Sequence, residues 1–92
     1  MIQSFKDAGT KDLYETGSSQ RWASIKAVAV RKLDQIDAAI NLSNLRVPPG
    51  NRLEALKRDR IWQHSIRIND QYRICFVWKD DGAHEVEITD YH

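Results

Sequence analysis

His64-Ser65-Ile66-Arg67-Ile68-Asn69-Asp70-Gln71-Tyr72-Arg73-Ile74-Cys75-Phe76-Val77-Trp78 is the stretch on which the fold turns. From His64 to Ile68 polar and apolar residues alternate with a period of two, the pattern of a half-buried strand. Asn69-Asp70 supplies a turn, and Tyr72 to Trp78 resumes as a strand. That second strand is apolar on both faces except at Arg73, which predicts a central place in a sheet. Lys79-Asp80-Asp81-Gly82 makes the next turn, and Ala83 to Thr89 alternates again. Successive strands joined by tight turns predict an antiparallel meander.

Upstream the period changes. In Arg46-Val47-Pro48-Pro49-Gly50-Asn51 the prolines remove backbone donors and Gly50 supplies a turn, so neither a helix nor a central strand can continue there. Before that loop, from about Gln20 to Asn41, Trp22, Ile25, Ala29, Leu33, Ile36 and Ile40 recur in steps of three and four. Lys26, Arg31, Asp34 and Asp37 lie mostly off this stripe, which predicts a long amphipathic helix capped by Ser19. Its stripe, Trp22 included, needs a sheet or a partner to pack on. A shorter helix is expected through Lys11, Leu13 and Tyr14, ended by Gly17-Ser18-Ser19, and a short strand from Ile2 to Phe5. The predicted fold is α+β: two N-terminal helices packed on a small, mainly antiparallel sheet, in one domain spanning residues 1–92.

Composition agrees with one small core. Of the 92 residues 41% are hydrophobic and 29% charged, the balance of a folded globular chain. Cys75 is the single cysteine, which excludes an intrachain disulfide and a cysteine-based zinc site. The opening residues lack the pattern of a signal peptide, and no apolar run approaches the ~20 residues of a membrane span. The expectation is a cytoplasmic protein with no membrane partner. Net charge is only +1, but it is unevenly spread. Arg46 to Arg73 holds seven basic against three acidic residues, whereas Ile74 to His92 holds one against five. A basic middle beside an acidic end can make a local anion site; solvated charges on strands and turns would give the same count.

Arg73 is the most informative polar residue. A guanidinium among apolar neighbours needs an anion. A carboxylate from a neighbouring strand, Glu85 or Glu87, would serve, and so would a phosphate bound through arginine's fork. Asp90-Tyr91-His92 adds titratable groups at the end of the strand, including an imidazole suited to proton transfer at neutral pH. Between Asn51 and Arg60 basic residues alternate with apolar anchors, as in a short strand followed by a basic turn that can track a phosphate backbone. Phosphate-binding and hydrolase motifs are missing, and His64, His84 and His92 lack metal-ligand spacing, so neither a metal nor a cofactor is expected.

Taken together, three runs resemble the HigB toxins of the RelE/ParE superfamily. They are Val47-Pro48-Pro49-Gly50-Asn51-Arg52-Leu53-Glu54-Ala55-Leu56-Lys57, Ser65-Ile66-Arg67-Ile68-Asn69-Asp70-Gln71-Tyr72-Arg73-Ile74 and Val86-Glu87-Ile88-Thr89-Asp90-Tyr91-His92. The Met1-Ile2-x-Ser4-Phe5 opening fits as well; the likeness is dense from Pro48 onward and weaker between Lys6 and Asn44. Arg-Leu-x-x-Leu-Lys combined with a terminal Asp-Tyr-His is specific, although neither piece is so alone.

The resemblance implies a RelE-like fold and the toxin half of a type II toxin–antitoxin pair. Its partner would be a HigA-like helix-turn-helix antitoxin, through which alone it would meet operator DNA. The implied activity is a ribosome-dependent endoribonuclease that cuts mRNA in the A site and inhibits translation. No metal takes part: the ribose 2′-OH attacks its adjacent phosphate. On the matching positions Asp90 and His92 would handle protons and orientation, and Tyr91 would stack on or hydrogen-bond the substrate. Arg73 with Lys57 would bind the scissile phosphate. Arg58, Arg67 and His64 join Lys57 as expected substrate-binding positions. Two departures bear on this: well-known members carry histidine where this chain has Glu54, and glycine where it has Arg58. Glu54 can still accept a proton, so it is kept as a candidate base, while His64 is either a packing substitute or a substrate contact.

The same superfamily contains ParE-like toxins that poison DNA gyrase by binding and cut no RNA, so fold alone leaves both readings open. The cluster Arg73, Asp90, Tyr91 and His92 separates them, because a pure gyrase binder has no chemical use for it. A DNA-binding module is disfavoured by the lack of a recognition-helix pattern.

Overall fold

A computed structural model describes residues 1–90. Helix α1 (Ala8–Thr16) starts where the Asp7 carboxylate accepts from the Thr10 N–H at 3.0 Å. It stops at Gly17, whose left-handed φ of 70° lets its N–H reach the Leu13 carbonyl at 2.8 Å. Helix α2 (Lys26–Ala38) is shorter than the sequence predicts at both ends. Ser19 does cap, but it caps a turn: its Oγ accepts from the Trp22 N–H at 3.2 Å, ahead of a 3₁₀ turn at Ala23–Ile25. At the other end Asn44 Oδ1 accepts from the Ile40 and Asn41 N–H groups at 2.9 and 3.1 Å. These local bonds compete with helix continuation. Ile40 is consequently 88% exposed and falls out of the predicted stripe, while Trp22, Ile25, Ala29, Leu33 and Ile36 are buried as expected.

Beyond the loop, strands β1 (Glu54–Ala55), β2 (His64–Arg67), β3 (Tyr72–Lys79) and β4 (Gly82–Asp90) pair antiparallel in sequence order. β3 is central, as its apolar faces predict. Ile2 and Phe5 form only isolated parallel bridges, to Ala83 and Val86 beside β4. They sit where the β3–β4 register shifts, with Glu85 at φ 51°. There the Glu85 N–H donates to Ser4 Oγ at 2.9 Å, and the Val86 N–H to the Ser4 carbonyl at 3.1 Å. Gly82 is required beside them, because a Cβ on it would lie 2.0 Å from the Met1 carbonyl oxygen. Asp37 of α2 also holds this segment, accepting from the Ile2 N–H at 2.8 Å. Burial and a hydrogen bond to the same carboxylate push the Tyr14 hydroxyl up to about 12.

Both helices lie on one face of the sheet. Ile66, Ile68, Ile74, Phe76, Val86 and Ile88 pack there against Leu13 and the α2 stripe, and Trp22 meets Tyr72 edge-on with ring centroids 5.5 Å apart. Each large buried side chain contributes roughly 1.5–3 kcal/mol through burial. By the alternation of a strand the opposite face carries Ser65 and Arg67 of β2, Arg73 and Cys75 of β3, and Glu87 and Thr89 of β4. The loop entering β1 is pinned by the fully buried Asn51. Its Nδ2 donates to Gln35 Oε1 at 3.1 Å and to the Leu45 carbonyl at 3.2 Å, and its Oδ1 accepts from Lys32 Nζ. Burial, with Arg31 and Arg67 adding repulsion, lowers the Lys32 pKa.

Candidate active site

The helix-free face of the sheet carries an open cleft of about 610 Å³. One wall is β1 and the basic turn that follows it, Glu54 to Arg60; Ser65, Arg73 and Cys75 belong to the adjoining strands, and Thr89 and Asp90 come from the end of β4. Register explains the grouping. Glu54, Ser65, Cys75 and Glu87 are successive cross-strand partners, as are Arg67, Arg73 and Thr89 in the neighbouring row. Directly opposed residues of an antiparallel sheet share a face, so four strands deliver their polar side chains to one surface.

Arg73 is only 8% exposed, and its fork is braced from behind. Nε donates to Ser65 Oγ at 2.8 Å, and one terminal nitrogen donates to the Arg52 carbonyl at 2.8 Å. The same nitrogen lies 3.9 Å from Glu54 Oε1. Among the described residues the carboxylate beside Arg73 is Glu54 of β1, where the sequence pointed to Glu85 or Glu87. Glu87 is engaged by Lys6 at 3.4 Å and Arg60 at 3.3 Å, and accepts from Thr89 Oγ1 at 3.0 Å; Glu85 sits exposed at the register shift. The departure from histidine at Glu54 thus adds a carboxylate to a cleft whose lining already includes Asp59 and Asp90 beside Lys57, Arg58, Arg60 and Arg73.

Lys57 and Arg58 are exposed on the cleft wall, and among the described residues neither joins an ion pair. Arg58 adopts φ 62°, the left-handed region where glycine is at ease. The position at which the resemblance expects glycine is therefore the one where the backbone turns sharply. A side chain there carries a backbone cost and adds a cation to the wall.

Of the sequence candidates, Arg73, Glu54, Lys57, Arg58 and Asp90 all line this cleft. Asp90 pairs with Tyr72 at the end of β4, and its carboxylate accepts from Gln71 Nε2 at 3.3 Å. Tyr91 and His92 lie outside the described residues. Arg67 shares the face but not the cleft lining, and its guanidinium pairs with Asp70 across the turn. His64 alternates with Ser65 onto the helix-packed face, where its ring stacks near Phe76 at 6.5 Å, and burial lowers its pKa. Its surroundings are those of a packing residue.

The sequence reading did not single out Ser65, Arg60, Cys75 or Thr89. Extending the two-residue alternation across the Asn69-Asp70 turn would have placed Ser65 on the Arg73 face, and His64 with Ile66 and Ile68. Burial raises the Cys75 thiol pKa, so the neutral thiol is the resting form in the cleft. Among the described residues no group of three His, Cys, Asp or Glu side chains could hold a metal ion. No helix among them is long and apolar enough to cross a membrane.

Residues 3–92 match the family model of the RelE-like toxin of type II toxin–antitoxin system HigB. The chain is 43% identical over 85 residues to Toxin HigB-1 of Vibrio cholerae serotype O1, covering 90% of each. It is 31% identical over 93 residues to Endoribonuclease HigB of Proteus vulgaris, covering all of both. Its fold superposes on a chain of the YoeB-YefM complex from Staphylococcus aureus with a TM-score of 0.62 at 16% identity, over 100% of this chain and 98% of that one. A family match over nearly the whole sequence, with a cleft built from the residues that carry the resemblance, makes this chain a member of the HigB family of RelE-like toxins of type II toxin–antitoxin systems.

Proposed function

We propose that the chain is a toxin that cuts mRNA on the ribosome by internal attack of a ribose 2′-OH. The observation that carries this reading is the braced Arg73 in a cleft walled by Lys57 and Arg58, an arrangement suited to an RNA phosphate. The 2′-oxygen bonds to the adjacent phosphorus while the bond to the 5′-oxygen breaks, leaving a 2′,3′-cyclic phosphate and a 5′-OH. A base must take the 2′-OH proton and an acid must protonate the departing oxygen. Arg73 and Lys57 stabilise the charge that gathers on the phosphate. Glu54, Asp90 and His92 are the proton carriers within this reading, and Tyr91 holds the nucleotide. No metal is assigned a role, because the cations of the chain supply the charge stabilisation.

Several finer assignments accompany it. The antitoxin is of the HigA-like helix-turn-helix kind, the ribosomal A site presents the mRNA, and the protein works in the cytoplasm. The relative named as an endoribonuclease and the family's description as the toxin of a type II toxin–antitoxin system support an RNA-cutting toxin that is held by an antitoxin.

The test is cleavage of a defined mRNA on purified ribosomes, with analysis of the new ends. The expected products carry a cyclic phosphate and a free 5′-OH, and a 2′-deoxy nucleotide at the cut site blocks the reaction. Products with 5′-phosphates would refute the internal attack. Inhibition of gyrase supercoiling without RNA cleavage would select the ParE-like alternative.

A further inference from the structure

Among the described residues most large apolar side chains are buried, and the most exposed aromatic is Trp62, at 80%. Its neighbour Ile61 is 60% exposed. Both sit on the turn between β1 and β2 that also provides Lys57, Arg58 and Arg60 to the cleft. The turn is well held. The Leu56 N–H donates to the Gln63 carbonyl at 2.9 Å, and the Gln63 N–H to the Arg60 carbonyl at 2.9 Å. The Arg60 guanidinium adds a bond to Gln63 Oε1 at 2.9 Å. Trp62 is thus presented on an ordered scaffold, and much of the entropy lost when a ligand immobilises a loop is already gone.

An exposed indole within a few residues of three cations is the combination that grips single-stranded nucleic acid. Cations track the phosphates and an aromatic face accepts a base. We infer that Trp62 is a stacking platform for a base of the RNA strand where it leaves the cleft, and so a substrate-positioning residue for the proposed cleavage. A protein partner fits the patch less well. A stable protein interface covers about 800 Å² per partner around a well-packed apolar centre, whereas Ile61 and Trp62 stand among charged neighbours. One nucleobase, by contrast, is about the size of the indole. This inference rests on the RNA-cutting function.

The experiment compares Trp62→Ala and Trp62→Phe with the parent protein. Base–aromatic stacking removed by alanine corresponds to a loss of about 5- to 140-fold in affinity. In ribosome-dependent cleavage, Trp62→Ala is expected to raise KM on that scale and to leave kcat within about twofold. Trp62→Phe should recover most of the difference. A second arm follows tryptophan fluorescence during titration with a single-stranded oligoribonucleotide carrying 2′-O-methyl groups, which cannot be cut. Quenching is expected in the parent and should largely disappear in Trp62→Phe. An unchanged KM together with unchanged quenching overturns the inference. So does loss of antitoxin affinity in Trp62→Ala with cleavage intact, since that makes Trp62 a protein-docking residue. If the parent bound the oligonucleotide through Trp62 but cut no RNA, the stacking site would stand while the nuclease function fell.

Discussion

Replacing Arg73 by alanine should produce two losses of different origin, and the structure predicts the size of each. The guanidinium supplies the hydrogen bonds to the fully buried Ser65 hydroxyl and to the Arg52 carbonyl. A buried polar group left without its partner costs about 1–3 kcal/mol. For a domain of this length each kcal/mol moves the melting midpoint by roughly 4–8 °C, so Arg73→Ala should melt ~5–20 °C lower. Separately, a preorganised donor to a developing oxyanion typically contributes ~10²–10³ in rate. Single-turnover cleavage on ribosomes, run well below the melting midpoint of the variant, should fall on that scale. Ser65→Ala separates the two effects, because it removes the hydroxyl that braces Nε and keeps the cation, still held by the Arg52 carbonyl. It should reproduce much of the thermal loss with a far smaller loss of rate. In the double variant the stability losses should add only in part, since the Arg73–Ser65 bond is counted in both single variants. Parental cleavage by a folded Arg73→Ala protein would show that Arg73 is a structural strut and that the phosphate is held elsewhere.

Three further perturbations follow. Deleting His92 should slow cleavage by ~10²–10⁴-fold without altering the melting curve; a parental rate makes His92 a bystander. Burial depresses the His64 pKa, so the unfolded chain takes up this proton first. The stability associated with a neutral His64 is complete above its ordinary value of 6.5 and is lost as the pH falls through the lower folded value. Thermal melts between pH 8 and 5 should show that decline in the parent and not in His64→Phe, and identical slopes would contradict it. Asn51→Leu leaves the Lys32 ammonium buried without its acceptor, which should cost at least about 1–3 kcal/mol in urea denaturation. Lys32→Met in the same chain should return most of that loss, and a single variant as stable as the parent would refute the pairing.

The fold was legible wherever one period ran uninterrupted. Alternation from His64 to Ile68, the doubly apolar run from Tyr72 to Trp78 and steps of three and four from Trp22 to Ile36 correspond to β2, β3 and the buried stripe of α2. The misreadings fell where side chains bond the backbone locally. Ile40 keeps the helical spacing, yet Asn41 and Asn44 offer the chain another partner, and hydropathy carries no trace of that competition. Site residues were legible as types and as a likeness, but their grouping required the register. That Arg73 faces Glu54, with Glu87 committed to Lys6 and Arg60, depends on β1 pairing with β2 through two residues, a pairing too short to show a period.

The sequential strand order also dictates how the molecule assembles. Every sheet neighbour is also a sequence neighbour, so β1 to β4 zip through short closures that cost little chain entropy. The N-terminal segment is the exception, because Ser4 meets Glu85 from 81 residues away. Contacts of that separation form late, after the meander has condensed. The sheet that floors the cleft is therefore expected to be in place before Ile2 to Phe5 docks. Those residues act as a seam closed over a finished sheet, and their substitutions should speed unfolding while leaving the folding rate almost untouched.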